Sequence, residues 1–430
     1  DMGGTILRQM WHQRKLNLWI MTGLVLITVV VWFIIDPLFV LCYNRWAVSD
    51  GFNADNLYVL SIRQYPEHSG FYHEDETDST QVLTDFHRIL DILKQQPDVD
   101  AYTVVDDAAY PFCDWYNYRD ISRYENDSMG ISIQFMNYYG EGDYFRTLRI
   151  RSAVDGSFLP ESAPGTVYVS ENMVDSFIGK GNVIGKELAE IDGETYKVAG
   201  IVQNVKVSTY ELPGALVYCP NGKVDEKYIG ENGFIKIVFR VKDDALKGVS
   251  FKDYRKKMTK LLRSGILYTE MKPFDKIRQN YEIAYGVTNK FRVQTFLMFF
   301  FLSNMLLGII GTFWFRCRAR QEEIGLRMAL GCTRKRIALW FFTEGFILST
   351  LAVVIGVFIV IQWIYFEGMY RTSGHMFFVG KGYLTDSVML HFWCVFWITY
   401  PLILLTVAAG TFFPAWIATK VNPADTLKTE

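Results

Sequence analysis

The stretch from Val293 to Arg336 reads VQTFLMFFFLSNMLLGIIGTFWF and continues as RCRARQEEIGLRMALGCTRKR. Its first part is an uncharged apolar run, and a helix needs about 20 such residues to cross a bilayer. Its second part is strongly basic, and basic residues beside a membrane helix mark the cytoplasmic side. The junction therefore predicts a membrane helix that ends near Arg316 and continues into a cytoplasmic segment.

Three more apolar runs have the length of a membrane span: Leu16 to Ile35, Gly345 to Phe366, and Val388 to Thr419. Each run predicts a helix, because exposed backbone polar groups cannot be satisfied in lipid in other ways. A cleaved signal peptide is the competing interpretation of the first run. That run is long and no small-residue cleavage site follows it, which favours a membrane anchor. We therefore expect four membrane helices.

The charge of the chain is divided unevenly. The whole sequence has 44 Lys and Arg against 46 Asp and Glu, which excludes a strongly basic nucleic-acid binder. Residues 44–290 have 29 basic against 37 acidic residues, a net of −8, whereas the remainder has 15 against 9, a net of +6. The sequence therefore predicts an acidic soluble block set between basic, apolar flanks.

The soluble block alternates helical and strand patterns. Thr80 to Gln95 and Lys252 to Ile266 have apolar residues at helical spacing. Strands are predicted where β-branched and aromatic runs are bounded by turn residues, at Tyr102–Val105, Ile131–Phe135, Val167–Ser170, Lys197–Val202 and Ile235–Val241. These patterns predict a mixed α+β domain, and its length suggests two lobes.

Several features of the block leave two interpretations open. Residues 50–127 have 17 acidic against 5 basic residues, which suits a solvated surface or, alternatively, a site for a cationic ligand. The aromatic run Tyr110–Tyr118 indicates core packing or a seam between lobes, with a partner surface as the alternative. For Cys113 and Cys219 the two interpretations are a disulfide between them and a pair of free buried thiols. A mobile polar loop or a metal site accounts for the cluster His68, His73, Glu74, Asp75, Glu76 and Asp78.

Motifs of catalysis are absent from the sequence. The nearest approach to a phosphate-binding loop, Gly179 to Glu187, has the wrong spacing and ends in Glu rather than Ser or Thr. There is no GxSxG, HExxH or paired Cys/His signature. We therefore expect no enzyme activity in this chain, and no metal or cofactor bound to it.

The basic connection between the second and third spans carries an ordered pattern. Glu323, Arg327 and Leu330 recur at helical spacing, and Gly325 and Gly331 permit close backbone approach and a bend. A simple stop-transfer loop would explain the arginines but not the order Glu-Ile-Gly-x-Arg-x-x-x-Gly. The pattern predicts a short amphipathic helix at the cytoplasmic surface that docks against another molecule.

This connection resembles the E-I-G-x-R-x-A-x-G-A signature of FtsX-like ABC permeases of the MacB and lipoprotein-releasing type. Glu344 stands where the family has its Leu-x-Glu motif, and Pro414–Trp416 with Asn422–Lys428 is similar to the closing motif. Val167 to Val205 is similar to the MacB-type extracytoplasmic core pattern. Two departures are Cys332 in place of Ala and Asp425 in place of Glu. The family's MacB members carry a fused ATPase, which this sequence lacks.

The resemblance implies a mechanotransmission permease without its own ATPase site. ATP would be bound by a separate cytoplasmic ATPase dimer that pushes a coupling helix, and two copies of this chain, or this chain and a related one, would pair in the membrane. The residues implied in ATPase coupling are Glu323, Gly325, Arg327, Gly331 and Arg334. Glu344 is implied as a membrane-buried acid, and Arg327 or Arg334 is its expected partner, because a buried acid is costly unless it is paired.

The expected architecture is a membrane domain of four helices with a large mixed α+β extracytoplasmic domain inserted between the first and second spans. Its segments are an N-terminal amphipathic helix (1–15), the first span (16–43), the MacB-like core domain (44–290), the second span and stalk (291–318), the coupling helix (319–336), the third span (337–366), a short loop (367–387), the fourth span (388–419) and a tail (420–430). We expect the bacterial inner membrane, with the core domain periplasmic and both termini cytoplasmic.

The resemblance implies three outputs. The first is export of a substrate, with a periplasmic adaptor and an outer-membrane channel as partners. The alternatives are release of lipoproteins from the membrane, and FtsX-like signalling that controls an extracytoplasmic enzyme. Membrane lipid is a partner in each case, and nucleic acid is a partner in none.

Overall fold

The computed structural model describes residues 14–113, 115–122, 130–161, 163–179, 181–191, 193–229, 234–370 and 387–418. Two compact units are present in this part of the chain. The helix unit contains residues 14–41, 289–370 and 387–418, and the sheet domain contains residues 42–288. Most of the expected N-terminal amphipathic helix (residues 1–13), most of the short loop (371–386) and the Asn422–Lys428 motif lie outside the described residues.

The helices, in chain order, are α1 (Arg14–Trp46), α2 (Ser79–Lys94), α3 (Tyr144–Leu148), α4 (Glu171–Met173), α5 (Phe251–Leu261), α6 (Phe274–Ala284), α7 (Val287–Ala319), α8 (Gln321–Ala329), α9 (Arg334–Glu367) and α10 (Val388–Ala418). The strands are β1 (Leu57–Gln64), β2 (Val99–Asp106), β3 (Tyr118–Ser122), β4 (Ile131–Gly142), β5 (Thr166–Ser170), β6 (Glu187–Glu190), β7 (Thr195–Val202), β8 (Leu216–Pro220), β9 (Ile235–Val241) and β10 (Leu267–Pro273).

Within the described residues, four helices are long and apolar enough to cross a membrane: α1, α7, α9 and α10. They extend beyond the uncharged runs, because flanking polar residues continue the same helices. The uncharged run ends at Ile35, but Pro37 lies inside α1 and the helix continues to Trp46, three residues beyond the expected end of the first span at residue 43. Asp36 is buried beside His391 of α10, which offsets the cost of a carboxylate in this position.

The ten strands form one sheet in the order β10-β1-β9-β2-β4-β3-β6-β7-β5-β8, with an additional pairing of β8 to β4. That pairing closes β4, β3, β6, β7, β5 and β8 into a six-stranded ring. The other four strands extend from β4 as an open antiparallel sheet. The twelve-residue β4 is shared by both parts, and so the sheet domain has two lobes built on one strand.

Each lobe has its own apolar core. In the open lobe, α2 and α5 cover one face of the sheet, where Phe86 and Met258 pack near Phe239. In the ring, Phe135 and Val217 lie in the interior core. A third core contains Tyr138, Tyr281 and other aromatic side chains. The helical spacing in α2 therefore serves burial, as predicted.

The predicted strands are all present as β2, β4, β5, β7 and β9, and the first predicted helix is present as α2. The second predicted helix is shorter than expected, because α5 ends at Leu261 and a turn at Ser264–Leu267 leads into β10. Both thiols of the soluble block, Cys113 and Cys219, are free and buried.

The aromatic run is divided between the core and the surface. Tyr110 and Phe112 are buried, as core packing requires, whereas Trp115 is exposed. The Tyr116 hydroxyl lies 2.5 Å from that of Tyr281 on α6. Most of this run therefore packs inside the sheet domain.

Candidate coupling site

The predicted amphipathic helix is present as α8, between the long helices α7 and α9. Arg327 Nη2 donates to Glu323 Oε1 at 2.6 Å, one helical turn away. Gly325 is buried, so the small residue lets this face of α8 pack closely. Gly331 has a φ of +92° in the turn after α8, a conformation that favours glycine. Arg334 begins α9 and is exposed.

Glu344 is buried in the helix unit and binds two arginines. Arg316 Nη1 donates to Glu344 Oε1 at 2.5 Å, and Arg320 Nη1 donates to Glu344 Oε2 at 3.1 Å. All three side chains are at most 5% exposed. Arg316 also donates to the side chain of Asn17 on α1. Asn17, Arg316, Arg320 and Glu344 therefore form a buried cluster that joins α1, α7 and α9. We call these four residues the inner cluster.

The expected partners of Glu344 are wrong. Arg327 pairs with Glu323 instead, and Arg334 is exposed at the start of α9. Arg334 is ten positions from Glu344 along one helix, about 15 Å at 1.5 Å per residue. Arg316 and Arg320 are four positions apart, which places both on one side of the chain and within reach of a single carboxylate.

The ring of Trp340 lies between α8 and the inner cluster. The guanidinium of Arg327 is 4.4 Å from the ring centroid, and that of Arg320 is 5.2 Å from it. Both distances are within the range of cation–π attraction. A continuous series of contacts therefore runs from Glu323 through these groups to Glu344.

A second buried contact between ionisable side chains lies elsewhere in the helix unit. His391 Nε2 is 2.8 Å from Asp36 Oδ1, and the backbone N–H of Tyr370 donates to Asp36 Oδ2 at 3.0 Å. Asp36 follows Asn17 by 19 residues on α1, about 28 Å of helix. The hydrocarbon core of a bilayer is about 30 Å thick. The inner cluster and the Asp36–His391 pair thus lie about one hydrocarbon thickness apart on α1.

Sequence reasoning missed most partners in these clusters. The basic run that contains Arg316 and Arg320 indicates only a cytoplasmic segment, although their four-residue spacing is the signal that could identify them as a pair. Asn17, Asp36 and His391 were each a lone polar residue in or beside an apolar run, and no local pattern tells which helix supplies the partner.

The described residues contain no group of three or more His, Cys, Asp or Glu side chains that could hold a metal ion.

Two protein-family models match this chain, one in the helix unit and one in the sheet domain. Residues 295–423 match the FtsX-like permease C-terminal family, and residues 44–249 match the MacB-like periplasmic core domain. The chain belongs to the MacB- and FtsX-like ABC permeases. Permease components of this kind are not themselves catalytic. The matched C-terminal region contains α8 and Glu344, and the matched core domain contains most of the two-lobed sheet.

A curated relative is the macrolide export ATP-binding/permease protein MacB of Aggregatibacter actinomycetemcomitans, 24% identical over 234 residues. The match covers 53% of this permease and 35% of that protein. The periplasmic region of MacB from Actinobacillus actinomycetemcomitans aligns with 15% identity and a TM-score of 0.32, covering 54% of this permease and 94% of that structure. A domain of a putative permease from Porphyromonas gingivalis aligns with 12% identity and a TM-score of 0.33, covering 52% and 92%.

Proposed function

We propose that this chain is the permease subunit of an ABC transporter, and that it transmits motion from a separate cytoplasmic ATPase across the inner membrane to a periplasmic sheet domain. The observation that carries the proposal is the series of contacts from α8 to the inner cluster. Such a series joins a surface helix to three membrane helices through charged and aromatic groups. The proposed output is export of a substrate.

The proposed orientation rests on the positive-inside rule. The connection from Arg316 to Arg336 has seven basic and two acidic residues, which favours the cytoplasmic side. The sheet domain follows α1 and precedes α7, so it would lie on the opposite, periplasmic side, with both chain ends cytoplasmic. The distance along α1 between the inner cluster and the Asp36–His391 pair supports a span between these two sides.

The surface of α8 suits docking of an ATPase. Leu326 is 54% exposed and Leu330 is 79% exposed, one helical turn apart. Exposed apolar side chains beside charged ones are typical of protein interfaces. In this proposal the ATPase binds ATP, and closure of its dimer displaces α8.

The inner cluster would carry this displacement into the membrane. Arg327 of α8 contacts the same tryptophan ring as Arg320, and Arg320 binds Glu344 of α9. A buried charge is strongly destabilised when its partner is removed. A movement of α8 is therefore expected to shift α9 and α7 together rather than to break the cluster.

A second copy, or a related chain, would pack in a groove between α1 and α7. The groove has a volume of about 180 Å³ and is lined by Gly23 of α1 and by Asn304, Gly308 and Thr312 of α7, among others. A Cβ atom added at either glycine would meet nothing within 4 Å. Small and polar residues at four-residue spacing allow close packing of membrane helices.

Export is favoured over the alternatives because the matched relative is named as a macrolide exporter. In that case the sheet domain would work with a periplasmic adaptor and an outer-membrane channel. Lipoprotein release and FtsX-like control of an extracytoplasmic enzyme use the same motion with different periplasmic partners. Identification of the protein that co-purifies with the sheet domain separates the three.

The test is co-purification from the native membrane in mild detergent. Wild-type chain is compared with Leu326→Asp/Leu330→Asp and with Glu323→Lys/Arg327→Glu, and bound subunits are identified by mass spectrometry. We expect wild type to recover an ABC ATPase. We expect both double variants to lose at least about 90% of it, since the first places two carboxylates on the apolar part of the surface and the second reverses both charges that α8 presents to its partner.

The matched control is Leu261→Asp, which makes the same kind of substitution once, at a partly exposed leucine of the sheet domain. It should recover the ATPase as wild type does. Equal recovery by all variants would move the docking surface away from α8. Absence of any ATPase from wild type would contradict the proposal itself.

A further inference from the structure

The residues in the last turn of α1 are hydrogen-bonded to a loop of the sheet domain. Asn44 in the last turn of α1 donates from Nδ2 to the carbonyl of Tyr210 at 2.9 Å. Arg45 donates to the Tyr210 hydroxyl and its guanidinium lies 5.3 Å from the centroid of that ring. These residues all belong to the sheet domain. The end of α1 is thus held by the loop Gln203–Tyr210, which follows β7.

Lys206 is the centre of this attachment. Its side chain is fully buried, and Nζ donates to the carbonyls of Asn44 and Val48 at 2.5 and 2.6 Å. A lysine at the carboxyl end of a helix satisfies carbonyls that have no partner within the helix. Burial lowers the pKa of Lys206, and the carboxylate of Asp50 opposes that shift. Lys206 therefore caps the end of α1 from inside the sheet domain.

Asp50 connects this cap to the segment that leads into α7. Asp50 Oδ1 is 3.4 Å from Lys206 Nζ, and Asp50 Oδ2 accepts from Arg278 Nη2 at 3.2 Å. Arg278 lies on α6, and only two residues separate α6 from α7. The carboxylate of Asp50 therefore links the segment that follows α1 to α6, the helix that precedes α7.

A buried lysine is a weak source of stability, because desolvation offsets most of the attraction to its partners. An apolar side chain in its place would leave the carbonyls of Asn44 and Val48 without this donor. Lys206 contacts the segment that follows α1, and Asp50 links it to α6, the helix before α7. This position suits a mechanical role better than a purely stabilising one.

We propose that Asn44, Asp50, Lys206, Tyr210 and Arg278 form a joint that links the end of α1 to α6 and passes movement of the membrane helices into the ring of strands through β7. These are positioning residues, and their role in transport rests on the proposed function. The contacts themselves, in which Lys206 caps the end of α1 and Asp50 links it to α6, do not depend on the proposed function.

The test uses the full chain with its ATPase in lipid nanodiscs and measures hydrogen–deuterium exchange and ATP hydrolysis. The variants are Lys206→Met and Asp50→Asn. Without nucleotide, amides 44–48 should exchange roughly tenfold faster or more in Lys206→Met, as the loss of hydrogen bonds to a charged donor predicts. With ATP, both variants should hydrolyse at the wild-type rate but lose the ATP-dependent change in exchange of residues 203–210.

The matched control is Lys236→Met. Lys236 is another nearly buried lysine of the sheet domain, and its Nζ lies 3.5 Å from Asp107 and 3.2 Å from Ser61 Oγ. It should keep the ATP-dependent change, so that loss of a buried lysine alone does not explain the result.

An ATP-dependent change that persists in both joint variants would overturn the transmitting role. Unchanged exchange of amides 44–48 in Lys206→Met would overturn the joint itself. If wild type shows no ATP-dependent change, the proposed function fails, and the nucleotide-free comparison still decides whether the joint exists.

Discussion

At the scale of single residues, Gly51 shows how closely the chain after α1 is fitted. Its φ is +74°, and a Cβ atom there would lie 1.9 Å from the carbonyl oxygen of Asn204. Gly156 has a φ of +71°, but a Cβ atom there would meet nothing within 4 Å. The two glycines share a backbone conformation and differ in the space around it.

Gly51→Ala should therefore lower the free energy of unfolding by about 2–4 kcal/mol, from left-handed strain and overpacking together. Gly156→Ala should lower it by only about 1–2 kcal/mol, from the strain alone. Thermal unfolding of the detergent-solubilised chain, followed by tryptophan fluorescence, measures both. Equal losses in the two variants would show that the contact with Asn204 contributes nothing.

Glu211 carries a prediction about pH. Burial raises its pKa to about 7, from an ordinary value of 4.5. The folded state then binds the proton more tightly than the unfolded state, so this group contributes stability below about pH 4.5 that is lost as the pH rises to about 7.

Glu211→Gln removes the ionisable group and should raise the free energy of unfolding at pH 8 by about 1–3 kcal/mol relative to wild type. The difference should shrink as the pH falls toward 4.5. Unfolding curves of both proteins between pH 4.5 and pH 8 test this, and a difference that does not change with pH would contradict the assigned pKa.

At the scale of elements, the inner cluster ties α1, α7 and α9 through one carboxylate. Glu344→Gln would leave Arg316 and Arg320 buried without a counter-charge, which typically costs about 3–5 kcal/mol. We expect the variant to unfold at lower temperature in nanodiscs and to lose ATP-driven activity. Glu322→Gln, which removes an exposed carboxylate of α8, should do neither. Full activity and assembly in Glu344→Gln would refute the role of the cluster.

The elements themselves were largely predictable, because their signals are local. Apolar length indicated the four long helices, and alternating or helical spacing indicated α2 and strands such as β9. The long-range pairings were not predictable. No local pattern says that β8 returns to pair with β4, or that His391 meets Asp36 across 355 positions of sequence.

The contacts of the candidate site also divide into those that could be predicted from the sequence and those that could not. Glu323 and Arg327 are one helical turn apart, so their pairing within α8 follows from sequence. The partner of Glu344 depends on which helix faces α9, which sequence does not state. Nearness in sequence favours Arg327 and Arg334 as partners, whereas packing of α7 against α9 brings Arg316 to Glu344.

At the scale of the whole molecule, the proposed pairing with a second copy or a related chain requires a contact surface on the membrane helices. In the groove between α1 and α7, Asn304, Gly308 and Thr312 follow one another at four-residue spacing and so form one face of α7. Polar side chains on a membrane helix are costly against lipid and are favourable against another helix. This face is therefore the expected contact with a second copy or a related chain.

Gly308→Leu should fill the groove and weaken this association roughly tenfold or more, because an added side chain prevents close approach of the helices. Leu307→Phe changes the adjacent residue, which is 67% exposed and does not line the groove, and should leave the association unchanged. Native mass spectrometry of both variants at a series of protein concentrations measures the monomer fraction. A Gly308→Leu protein that associates as wild type does would exclude this groove and leave the lipid-facing surfaces of α9 and α10 as the next contact to test.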